Sequence, residues 1–244
     1  MKLPKHEFAT NEPARSHTAH VVRELGMGIV DGSFLQLSIL PGDAELMERF
    51  GVSRTVLREA MRTLSAKGLI QAKARIGTRV RDKSQWNLFD PDVLIWHANT
   101  GFDSAFLEYL GEMRLALEPA AAALASSRRS PLQLQHIYGW VEKMGADGVT
   151  PDEFVGADLS FHLAVATAAG NPFLRSISTL IEVALVSMLT ISSPMEEPAR
   201  HRVTVVKHRA VADAIARRDA DAARAAMIAV IDEGIENIRG LTGA

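Results

Sequence analysis

Asp158 and His162 stand four residues apart in a stretch of helical character, and His208 lies on a later helix. Four-residue spacing puts the first two side chains on one helix face. One carboxylate and two imidazoles form a donor set for zinc, nickel or another divalent ion. From spacing alone, a surface ion pair is the stronger reading of this pair. Arg114 lies mid-helix among Leu110, Met113, Leu115 and Leu117. It either pairs with Glu118 one turn on, or reaches into a cavity and clamps an anion. The guanidinium fork suits a carboxylate in that role. Asn171, just before Pro172, either caps the next helix or reaches a ligand, and capping is the simpler assignment. His97, His136 and His201 follow no pattern and read as surface or packing residues.

A second set of residues fits nucleic acid. Asp43 reads as the N-cap of a short helix from about Ala44, with Leu46, Met47 and Phe50 on one face. Gly51 stops it and makes the turn. Ser53 caps a second helix, whose apolar stripe is Val56, Leu57, Ala60, Met61 and Leu64. Arg54, Thr55, Arg58 and Arg62 fall outside that stripe, the first two at a helix start where backbone N–H groups favour phosphate. Gly68 ends the helix, and a hairpin with Lys73 and Arg75 near its tip follows. The bland alternative, a solvated arginine face, has the turn, the stripe and the hairpin against it.

The net charge of −2 hides an uneven distribution. From Arg49 to Lys83 there are ten basic residues, opposed by Glu59 and Asp82 alone. The remainder is acidic, so a basic module is joined to an acidic one. No cysteine is present, which excludes a disulfide scaffold and thiolate metal sites and suits a reducing cytoplasm. No apolar run approaches the ~20 residues that span a bilayer. The first 17 residues lack the hydrophobic core of an export signal and read as a loose arm.

The stretch LPGDAELMERFGVSRTVLREAMRTLSAKGLI, followed by GTRV, resembles the winged helix-turn-helix domain of the GntR family of bacterial transcription regulators. The resemblance covers about Thr18 to Val80. It implies operator contacts from Ser53, Arg54, Thr55, Arg58 and Arg62, and groove or backbone contacts from Lys73 and Arg75 on the wing. Ala44 departs from the pattern, since many members carry a DNA-touching arginine there.

The rest resembles the helical ligand-sensing (FCD) domain of the fatty-acid-regulator branch. The matching pieces are Glu112 to Pro119, Asp158-Leu159-Ser160-Phe161-His162, Gly170-Asn171-Pro172 and Lys207-His208. In that branch the residues matching Asp158, His162 and His208 bind a divalent metal, with zinc the first expectation here. A fourth ligand, a last-helix histidine, is replaced by Val230. The site then either keeps three protein ligands and leaves positions to water and effector, or loses the metal and uses the histidines directly. The resemblance implies that Arg114 binds the effector carboxylate, with Asn171 a second candidate. The stretch Gln85 to Trp96 resembles sugar-acid-responsive members. This implies an aldonate such as D-galactonate, or a uronate. Its plain reading is a hinge in which Trp86 and Trp96 anchor the reader to the bundle.

The expected fold is mainly α. An arm at 1–17 precedes a winged helix-turn-helix at 18–82. A linker at 83–92 leads to an antiparallel helical bundle at 93–244 of about six helices after a short lead-in helix. The expected function is a cytoplasmic, homodimeric repressor of a catabolic operon, released by its effector. Another hydroxy- or dicarboxylic acid is the alternative ligand. A metal-dependent hydrolase is the rival class, but no further general base, nucleophile motif or phosphate loop supports an enzyme.

Overall fold

The computed structural model describes residues 17–100 and 104–242, so most of the expected arm lies outside the described residues. These residues form eleven α-helices and one two-stranded sheet. They divide into two compact units, one ending at Gly101 and the other running from Phe102 onward.

In the first unit, α1 (His17–Val30) packs on α3 (Arg54–Ala66), which follows α2 (Asp43–Phe50). Gly51 takes the left-handed conformation at φ +62° and closes α2. The cap of α2 is Gly42, one residue earlier than expected. Asp43 sits inside the first turn, where its charge favours the helix dipole. The Ser53 hydroxyl accepts from Val56 N at 3.4 Å and caps α3. Leu57, Ala60 and Leu64 carry the buried stripe into a core with Val21, Leu25, Ile29 and Leu46. Strands β1 (Ile70–Lys73) and β2 (Gly77–Val80) pair antiparallel, Ile70 opposite Val80 and Lys73 opposite Gly77. Arg75 turns the tip at φ +63°.

The next helix, α4 (Pro91–Thr100), corrects the expected boundary. It packs on α1 and belongs to the first unit rather than opening the second. Trp86 and Trp96 are buried in the reader's own core. A Cβ on Gly26 would lie 2.3 Å from the Trp96 ring, so only glycine lets that ring lie flat on α1. Lys67 Nζ sits 2.8 Å from Asp90 and 2.7 Å from Asp92, tying the end of α3 to the start of α4. His97 is buried against Trp86, their ring centroids 5.7 Å apart. Burial, then the charge of Lys83, pushes its imidazole down to about 4.

The second unit is helical throughout: α5 (Ser104–Arg128), α6 (Pro131–Met144), α7 (Pro151–Ala168), α8 (Pro172–Ser176), α9 (Ser178–Ile191), α10 (Pro198–Ala216) and α11 (Ala220–Thr242). Starts are set by local chemistry. Ser130 with Gln133, and Thr150 with Glu153, form reciprocal capping boxes ahead of Pro131 and Pro151. Helix α5 packs on α11 and α7, α10 on α11, and α6 on α7. Phe154, Phe161, Ile137, Met144, Val211, Ile215 and Met227 fill the centre. No described helix is long and apolar enough to cross a membrane.

Candidate functional site

Three helices each contribute a pair at four-residue spacing to one buried place: Arg114 and Glu118 from α5, Asp158 and His162 from α7, and Thr204 and His208 from α10. Helix α11 presents Val230, Glu233, Gly234 and Asn237 to the same cavity, and α9 closes it with Leu185, Met188 and Leu189. The cavity measures about 50 Å³.

Asp158, His162 and His208 each place one donor atom within 4.8 Å of the others. Each imidazole is oriented from behind. His162 Nδ1 donates to the Glu118 carboxylate. His208 Nδ1 donates to the Thr204 carbonyl at 2.8 Å. Both protons thus sit on Nδ1, and both Nε2 lone pairs remain for the centre. His208 Nε2 lies 3.0 Å from Asp158 Oδ1, a pair of acceptors that repel unless a proton or a cation stands between them. Neither His208 Nε2 nor Asp158 Oδ2 makes an aligned hydrogen bond, though both are buried. Orphaned acceptors at such a place are costly unless a cation or proton satisfies them. The donor set therefore fits a divalent ion, and the carboxylate and Thr204 carbonyl behind the imidazoles supply the usual outer support. Phe161 meets both rings edge-on, His208 at 4.9 Å, and fixes their planes.

Arg114 pairs with Glu118 and also faces the cavity. Its Nε lies 2.5 Å from Glu118 Oε1, and it also lines the cavity, with Nη2 3.5 Å from His162 Nε2. Burial works to raise the Glu118 carboxyl, but the charges of Arg114 and His162 outweigh it and hold it at about 2. Burial likewise opposes ionisation of Asp158, and the charges of His208, His162 and Arg114 bring it below its ordinary value. For His208 burial favours the neutral ring, while the Asp158 carboxylate wins and raises it. The centre is a net of opposite charges that needs all its members.

Asn171 does not belong to it. Its side chain accepts from Phe173 N at 3.0 Å and caps α8, and it does not line the cavity. The loop before Pro172 leaves the first N–H groups of α8 unpaired, and the amide oxygen satisfies one. Glu118 as the shared partner of Arg114 and His162 was missed in the sequence, as were Thr204, Glu233 and Asn237. The repeat Val230, Glu233, Gly234, Asn237 has helical spacing, but only packing says which face meets a cavity.

On the first unit, Ser53, Arg54, Thr55, Arg58, Arg62 and Arg75 are exposed and Lys73 is half-buried. Arg62 is drawn to Glu59 at 2.7 Å. The described arginines of α3 lie opposite its buried stripe, the face a groove would meet.

Comparison with known proteins gives these parts a family. The profile described as "Bacterial regulatory proteins, gntR family" matches residues 17–80, and that of the FCD domain matches residues 109–233. The galactonate operon transcriptional repressor of Escherichia coli K12 is 34% identical over 225 residues, covering 92% of this chain and 98% of that one. The transcriptional regulator LutR of Bacillus subtilis is 28% identical, covering 78% of this chain and 88% of its own. The repressor NanR of Cronobacter sakazakii is 28% identical, covering 85% and 79%. A solved structure of Lar, described as controlling the Listeria monocytogenes agr system, shares the fold at TM-score 0.59 and 20% identity, covering 94% of this chain and all of that one. The chain therefore belongs to the gntR family of bacterial regulatory proteins, as a DNA-binding transcription regulator with an FCD domain.

Proposed function

We propose that the protein is a cytoplasmic repressor of a catabolic operon, released from its operator by a sugar acid held beside a divalent metal. The observation that carries this reading is the convergence of Asp158, His162 and His208 beside Arg114 in one cavity. Asp158 and the two Nε2 atoms hold the ion, zinc before nickel. When bound, such an ion supplies Lewis acidity toward a carboxylate and an adjacent hydroxyl. Arg114 takes the carboxylate, and Glu118 keeps Arg114 and His162 in register. Val230 adds no ligand, which leaves coordination positions for the effector. The similarity to the galactonate operon repressor, over nearly the full length of both chains, supports an aldonate such as D-galactonate.

The reader acts through Arg54, Thr55, Arg58 and Arg62 in the major groove, Ser53 at the helix start, and Lys73 and Arg75 on the wing. A homodimer presents two such helices to a pseudo-palindromic operator. Effector bound among α5, α7, α10 and α11 lowers operator affinity by a coupling free energy of about 1–3 kcal/mol. The test is operator binding by the purified protein with D-galactonate, with and without chelator. Release that requires both acid and metal supports the reading. Operator affinity indifferent to every sugar acid removes the aldonate and leaves the DNA reader standing.

A further inference from the structure

The cavity holds a second polar group that neither the metal set nor Arg114 uses. Glu233 faces it one turn after Val230 on α11, Asn237 one turn further, and Thr204 faces it from α10. The side chains of Arg114, Asp158, His162 and His208 are no more than 4% exposed, whereas that of Glu233 is 16% exposed. Glu233 therefore stands nearer the solvent end. It is held in place there. Lys207 Nζ lies 2.8 Å from Oε2, and the Thr204 hydroxyl shares its one proton between Oε1 at 3.2 Å and the Arg200 carbonyl at 3.1 Å. Lys207 itself does not line the cavity, so the carboxylate is what a ligand meets. A carboxylate offers about four acceptor sites and no donor. Two of these are used, and the rest accept from whatever enters.

We infer that Glu233, with Thr204 and Asn237, receives the hydroxylated end of the effector and excludes a second carboxylate, so that the site selects polyhydroxy monocarboxylates over dicarboxylates. The inference rests on the reading that the effector carboxylate occupies the Arg114 end. Hydroxyls donate to Glu233 and exchange donors and acceptors with Thr204 and Asn237. A terminal carboxylate brings only acceptors, so it leaves the free Glu233 lone pairs unmatched and meets a charge that Lys207 offsets only in part. Thr204 joins the two ends: its carbonyl orients His208 while its hydroxyl holds Glu233.

A matched pair of acids tests this by calorimetry on the metal-loaded protein. D-galactonate and galactarate differ only in the last carbon, hydroxymethyl in one and carboxylate in the other. The wild type is expected to bind the aldonate tighter by roughly tenfold or more. Glu233→Gln is expected to raise galactarate affinity by roughly tenfold, since an amide donates to a carboxylate without repelling it. Equal wild-type affinities overturn the inference without any variant, and so does full discrimination retained by a folded E233Q. Aldonate affinity unchanged in Arg114→Lys overturns the underlying reading instead, as does binding of neither acid.

Discussion

Glu118 has more riding on it than any other single side chain in the bundle. It is buried, accepts from Arg114 and His162 together, and is the only acid in contact with that guanidinium among the described interactions. Glu118→Gln leaves the Arg114 charge, only 3% exposed, without its ion-pair partner. Breaking a buried pair in this way costs about 3 kcal/mol or more. Chemical denaturation of E118Q should show that loss, and a zinc competition assay should show affinity reduced about 10- to 100-fold through the loosened His162. A stable variant with unchanged zinc affinity would mean that Phe161 alone orients the ring. At the reader, Arg58→Ala should cost about 1–3 kcal/mol of operator binding, measured by titration, and leave the melting temperature near that of wild type, because the side chain is exposed. Residues of this kind differ in how well a sequence reveals them. The exposed placement of Arg58 opposite the buried stripe is legible because its helix, stripe and turn are local. The role of Glu118 is not, because four-residue spacing from Arg114 describes a simple helix pair equally well. Its second partner comes from a helix 44 positions away.

At the scale of elements, the junction of α3, the hairpin and α4 decides the stability of the reader. Gly68 ends α3 at φ +78°, and a Cβ there would lie 2.5 Å from the Gln85 carbonyl oxygen. Gly68→Ala pays twice, once for the left-handed backbone and once for a clash with main chain that cannot rotate away. About 2 kcal/mol of lost stability is expected, read as a lower denaturation midpoint. His97 gives the same unit a pH dependence. The ring is pushed down to about 4 in the folded state by burial and Lys83, against about 6.5 when unfolded. Below the unfolded value the open chain takes up a proton that the folded ring resists, so stability falls as pH drops through 6.5 toward 4. His97→Leu should flatten that part of a melting-temperature profile relative to wild type. An unchanged slope would assign the acid sensitivity to other groups. The helices themselves were readable from their punctuation: Gly51, Ser130-Pro131 and Thr150-Pro151 stand where elements begin or end. The ownership of α4 was not readable. Its apolar residues fit either unit, and only the flat surface at Gly26 selects α1 for Trp96.

For the whole molecule, the consequence is that the reader extends further along the chain than its family profile. The gntR match stops at residue 80, yet Trp86, Val93, Leu94 and Trp96 are all buried, three of them within the reader's core. Burying one large apolar side chain is worth about 1.5–3 kcal/mol. A domain of this size has only about 5–15 kcal/mol in total. A fragment of residues 1–82 therefore loses an amount comparable to everything that holds it together. It also frees Lys67 from Asp90 and Asp92 at the end of the recognition helix. A fragment of residues 1–101 keeps all of these contacts. The longer fragment is expected to unfold cooperatively on heating and to bind an operator half-site weakly, with the steep salt dependence of phosphate contacts. The shorter one is expected to lack a cooperative transition and to bind DNA without sequence preference. Circular dichroism melts and titration against specific and scrambled duplexes distinguish them. Equal behaviour of the two fragments would return α4 to the role of a linker. The predicted difference makes α4 a structural part of the reader, bound to α1 through Trp96.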